Sequence, residues 1–141
     1  MYKLLLPVDG SANSERAVKH VIELTGVVGP LHVTVLNVQP SVDAWEVKRF
    51  LRKQEIQAIQ TAASAEATRT ALSLLEQAGI GFEVHHAEGD VAETIAEFAN
   101  AGGFNQIVMG TRGMSALQGL LLGSIATKVL HLAEVPVTLV K

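Results

Sequence analysis

Along this chain, short and nearly unbroken apolar runs alternate with longer stretches in which apolar positions recur every three to four residues. The first run, residues 2–8, is a short buried strand that stops at Asp9-Gly10-Ser11. Asn13 or Ser14 can then cap a helix reaching about Thr25, with Ala17, Val18, Val21, Ile22 and Leu24 along one stripe. Gly26 to Pro30 breaks that stripe, and the β-branched run 31–38 predicts a second strand ended by Pro40. Residues 42–78 then read as helix, densest in Ala, Gln, Glu and Leu from Glu55 to Gln77. One helix over that whole span would be ~55 Å long, wider than a domain of this size. The pattern therefore predicts irregular backbone within 41–54 and a compact helix near 55–78.

Gly79-Ile80-Gly81 stops that helix. A third strand follows over 82–87, where Phe82, Val84 and His86 alternate with Glu83 and His85. Gly89-Asp90 turns into a helix at about 91–101, with Val91, Ile95, Phe98 and Ala99 on one face and Gly102-Gly103 at its end. A strand at 105–109, a glycine-containing loop, a helix at 124–133 and a strand at 136–140 complete the chain. This alternation of strand and helix predicts one α/β domain over 1–141, with a parallel sheet, right-handed crossovers and helices on both faces. Ligands of such sheets sit beyond the carboxyl ends of the strands, where strand order reverses.

Composition narrows the chemistry. With 141 residues, 48% of them hydrophobic, the chain can build its own core. A net charge of −3 offers no broad positive field, so neither nucleic acid nor an anionic membrane is an expected partner. There is no cysteine, which removes disulfides, thiolate chemistry and Cys-ligated zinc. Leu4-Leu5-Leu6-Pro7-Val8 is too short for a signal sequence and no stretch approaches a membrane span, so the cytoplasm is the expected compartment. The five histidines show no metal-ligand spacing with carboxylates, and His85 and His86 point to opposite faces of their strand, so no metal held by protein ligands alone is expected. Trp45 reads as a local hydrophobic clamp, and Lys48, Arg49, Arg52 and Lys53 as a solvated basic face.

The segment Gly110-Thr111-Arg112-Gly113, then nine residues, then Gly123-Ser124, stands between the fourth strand and the last helix. Glycines at such a place let bare backbone amides approach a ligand, and a helix start adds unpaired N–H groups and partial positive charge. These are the elements of a phosphate cradle. No Gly-Lys-Ser/Thr follows, so it is not a Walker loop, and no Gly-x-Gly-x-x-Gly occurs in the chain. Ser124 can present a hydroxyl and an amide to phosphate oxygens. Arg112 can pair with a phosphate or stand in solvent, and Lys128 is a weaker candidate one turn after Ser124.

The pattern Gly-x2-Gly-x9-Gly-Ser, with the opening Tyr2 to Ser11 and the run Leu31 to Val38, resembles the universal stress protein family over the whole chain, and within it the ATP-binding branch. The resemblance implies an open five-stranded Rossmann-like sheet in the order 3-2-1-4-5, which sets Asp9 and Gly110 on the two sides of one crevice. It implies ATP as ligand, with any magnesium held mainly by the phosphates. The implied contacts are Pro7, Val8, Asp9 and Val38 at the adenine and ribose end, and Met109, Gly110, Arg112, Gly113, Gly123, Ser124, Ile125 and Ala126 around the phosphates. It also implies a homodimer joined through the edge strand 136–140, whose apolar character agrees with a paired edge. ATP, ADP, AMP and a cyclic nucleotide all satisfy these features. No nucleophile with its base is visible, so binding without fast turnover is expected, a nucleotide-independent dimeric interaction protein or a slow ATPase being the alternatives.

Overall fold

In the computed structural model, which describes residues 1–41, 52–111 and 122–141, five parallel strands and four helices alternate along the chain. They are β1 (Lys3–Pro7), α1 (Ala12–Val28), β2 (His32–Gln39), α2 (Lys53–Gln77), β3 (Phe82–Glu88), α3 (Val91–Ala101), β4 (Gln106–Gly110), α4 (Ser124–Leu132) and β5 (Val137–Val140). The strands lie in the order β3-β2-β1-β4-β5, as the family resemblance implies. Strand order reverses between β1 and β4, where Leu4 sits opposite Gln106 and Leu5 opposite Ile107.

Period-two alternation divides the sheet's side chains between two cores. Leu4, Leu6, Val8, Val33, Val35 and Val108 face Ala17, Val18 and Val21 of α1 and Ala71 and Leu75 of α2. Leu5, Leu36, Val38, Ile107 and Met109 face Ala92, Ile95 and Ala99 of α3 and Ala126 and Val129 of α4. Central strands buried on both faces explain why their sequences are apolar without interruption.

Two helix ends differ from the sequence pattern. The cap of α1 is Ser11, whose side chain accepts the Ser14 amide at 3.1 Å, and not Asn13 or Ser14. Asn13 lies inside the first turn, 6% exposed, where its amide group is used in tertiary bonding. The same helix runs through Gly26 and ends at Gly29, whose φ of 90° is the left-handed backbone a glycine adopts without strain. Within a tertiary frame, one glycine in a helix is a modest penalty that packing outweighs. The compact helix of the long central region spans Lys53–Gln77, while Trp45, Lys48 and Arg49 lie outside the described residues.

Candidate functional site

The β1–α1 turn follows the carboxyl end of β1, which lies beside β4 at the switch point. An oxygen of Asp9 accepts the Ser11 amide at 2.9 Å, and the Asp9 amide donates to Ser14 Oγ at 3.2 Å. Together with the Ser11 cap these bonds fix the carboxylate, half-buried, at the end of β1. Gly10 closes the turn with φ 83°, and a Cβ there would come within 3.2 Å of Ala67 Cα on α2. Any other residue there would hold a strained backbone conformation and press on α2 by a few tenths of an ångström.

The residue before Asp9 is tied to β2. Val8 donates its amide to Leu36 O at 2.9 Å, and its carbonyl accepts from Asn37 Nδ2 at 2.8 Å. Asn37 is 1% exposed. Its Oδ1 accepts from Ser64 Oγ and from Gln39 Nε2, both at 2.9 Å. This buried amide therefore fastens the tips of β1 and β2 to each other and to α2.

On the other side of the switch point stand the end of β4 and the start of α4. Gly110 is packed so closely on α1 that a Cβ would fall 2.4 Å from Asn13 Oδ1 and 3.0 Å from the Asn13 backbone carbon. The sequence suggests that this glycine serves ligand approach; contact with Asn13 requires it as well. Across the arm, Gly123 is the N-cap of α4 and has no side chain to accept the first helical amides. By contrast α1 is capped by Ser11 and α3 by Asp90. The leading amides of α4, from Ser124, Ile125 and Ala126, lack intrahelical partners by geometry, and the helix dipole adds positive potential there. Ser124 is exposed at this tip.

Each residue expected at the site has a distinct place. Pro7, Val8, Val38, Met109 and Ala126 are buried and Ile125 half-buried, so their side chains are core, and contact with a ligand would come through backbone atoms or an edge. Asp9, Gly110, Gly123 and Ser124 stand at the ends of the elements that meet at the switch point. Arg112 and Gly113 lie outside the described residues. Lys128 is engaged by the neighbouring helix: its Nζ lies 3.2 Å from Asp90 Oδ1 and 3.3 Å from Glu93 Oε1. The Glu93 amide and then Lys128 hold the Asp90 carboxyl below the usual carboxylate range. Asp90 and then Glu93 hold the Lys128 ammonium above the usual lysine range. The lysine thereby links α4 to the start of α3.

One cluster of histidine and glutamate side chains escapes a linear reading. His32 Nε2 and His85 Nε2 lie 3.5 and 3.8 Å from the same Glu83 oxygen. The β2–β3 register brings these residues onto one face, a fact that spacing along the sequence does not contain. Among the described residues no group of three histidine or acidic side chains is arranged to hold a metal ion. No described helix is long and apolar enough to cross a membrane.

Comparison with known proteins agrees with this architecture. The model of the universal stress protein family matches residues 1–141. The universal stress protein MJ0531 of Methanocaldococcus jannaschii is 34% identical, the match covering 99% of this chain and 81% of that protein. The solved structure of the hypothetical protein MJ0577 superposes with a TM-score of 0.85 at 28% identity, covering 99% of this chain and 95% of that one. A universal stress protein family member from Arabidopsis thaliana, solved with AMP bound, superposes with a TM-score of 0.69 at 17% identity, covering 100% of this chain and 92% of that one.

Proposed function

The chain belongs to the universal stress protein family, and from that premise we propose that it binds ATP in the crevice between β1 and β4 and acts as a nucleotide-dependent regulatory module. The observation that carries this reading is the glycine-capped start of α4, set beside the end of β4 at the point where strand order reverses. A helix tip with unpaired amides at that place is suited to the anionic tail of a nucleotide. The half-buried Asp9 carboxylate and the tips of β1 and β2 then line the side where ribose and base extend. The AMP held by the Arabidopsis protein belongs to the same ligand class; at 17% identity that likeness extends to fold alone. Magnesium enters this reading only as a companion of the phosphates. Asp9 already accepts the Ser11 amide, and in this reading it stands at the ribose end. It is poorly placed to orient an attacking water, so the module is read as binding without fast turnover.

Equilibrium dialysis with labelled ATP tests the reading. Wild type should bind in the micromolar range. Ser124→Glu keeps a residue compatible with a helix N-terminus but sets a carboxylate where phosphate would lie, and should weaken binding by about tenfold or more. Equal binding by both proteins, or none by wild type below millimolar, would end it.

We also propose that β5 pairs with its counterpart in a second copy. Its outer edge faces no other strand among the described residues, and Val137–Val140 are all only half-buried in the single chain. An apolar edge of this kind favours pairing. Leu139→Lys should convert a dimer to a monomer in sedimentation velocity; a dimer that persists would place the interface elsewhere.

A further inference from the structure

The end of β5 and the tip of α4 are joined through one buried residue. Thr111, 4% exposed, follows β4 directly. Its amide donates to Val140 O at 3.0 Å, and its carbonyl accepts the amide of Gly123, the N-cap of α4, at 2.7 Å. The Val140 carbonyl accepts a second bond from Asn13 Nδ2 at 2.9 Å. Thr111 Oγ1 donates to Asn13 Oδ1 at 3.4 Å. One turn along α1, Arg16 Nε donates to the carbonyl of Lys141 at 2.9 Å. The first two turns of α1 thus grip the end of β5, and the residue beside that grip holds the helix tip.

We propose that Asn13 and Thr111 are positioning residues: they bolt the N-cap of α4 to the end of β5, so that the aim of the leading α4 amides depends on how firmly β5 is held. The inference rests on the nucleotide reading above for its ligand, and on these bonds for its mechanism. Preorganised donors bind more tightly than donors that must first be ordered. Any stabilisation of β5, including pairing at its edge, therefore raises anion affinity at α4, and ligand at α4 protects β5 to the same degree.

Asn13→Ala is the test, with Asn100→Ala as control. Asn100 binds the opposite end of α4, donating to Leu132 O at 3.3 Å and accepting the Glu134 amide at 2.9 Å. Amide hydrogen exchange is read on ligand-free protein, and ATP affinity by dialysis. Asn13→Ala should speed exchange at Gly123 and at Thr138–Val140 together, by about tenfold, and weaken ATP binding by a similar factor. Asn100→Ala should leave Gly123, β5 and ATP affinity unchanged. Thr111→Val should give a smaller form of the same pattern, which Thr111→Ser restores, and this pair decides the matter if Asn13→Ala fails to fold. Faster exchange in β5 with Gly123 unmoved, or equal loss of affinity in Asn13→Ala and Asn100→Ala, would overturn the bolt. Absence of ATP binding by wild type would instead remove the nucleotide reading, and the exchange results would still decide the bolt.

Discussion

Gly110→Val is expected to destabilise the protein by about 3 kcal/mol, as overpacking of a closed site does at its upper range. The first added carbon already falls 2.4 Å from Asn13 Oδ1, 2.8 Å from Asn13 Cγ and 3.0 Å from the Asn13 backbone carbon. Asn13 has little room to yield, because it is 6% exposed and its amide is bonded to Val140 O. The strain is shared by β4, whose Gly110 stands opposite Val140 of β5. Urea unfolding should show a lower midpoint with an unchanged slope. Adding Asn13→Ala removes the two nearest atoms and leaves only the backbone carbon at 3.0 Å, so the double variant should lose less than the sum of the two single losses. Strict additivity would mean that the valine is accommodated some other way.

Asn37→Ala should cost a similar amount, about 3 kcal/mol, through a different mechanism. The side chain is 1% exposed and joins three groups: the carbonyl of Val8, the hydroxyl of Ser64 and the amide of Gln39. Its removal leaves a cavity and orphans partners that water does not readily reach, each such loss being worth about 1–3 kcal/mol. Ser64 is itself buried, so its hydroxyl loses this acceptor away from bulk water. A cycle with Ser64→Ala should give a coupling of about 1 kcal/mol or more. The same variant should loosen Val8 and Asp9 at the tip of β1 and weaken nucleotide binding beyond what Ser64→Ala does. A loss under about 0.5 kcal/mol would show that the amide is dispensable.

Much of this architecture is legible in the residue pattern. Leu4-Leu5-Leu6 and Val33 to Leu36 read as doubly buried strands because each face of the sheet carries its own core. The glycine spacing after Met109 directs attention to the junction of β4 and α4, and the helix does begin at Ser124 with a glycine cap. What is not legible depends on partners distant in the chain. Asn13 looks like a cap, because Asn near a helix start usually is one; its bond to Val140 crosses 127 positions. Thr111 looks like a filler between glycines, yet its three bonds join α1, β5 and α4. Asn37 is a polar residue inside an apolar strand, and its bonds to Val8 and Ser64, 29 and 27 positions away, explain it. Lys128 has the spacing to reach a phosphate, but the acidic start of α3 lies nearer. Local pattern fixes the elements, and tertiary hydrogen bonds decide how their ends are held.

Titration of isotope-labelled wild-type protein with ATP, followed by amide chemical shifts, addresses the crevice most directly. Saturable shifts are expected, largest at Gly110, at Gly123 to Ala126 and at Val8 and Asp9, with smaller ones at Val38. Shifts confined to another surface, or none at millimolar ATP, would contradict it.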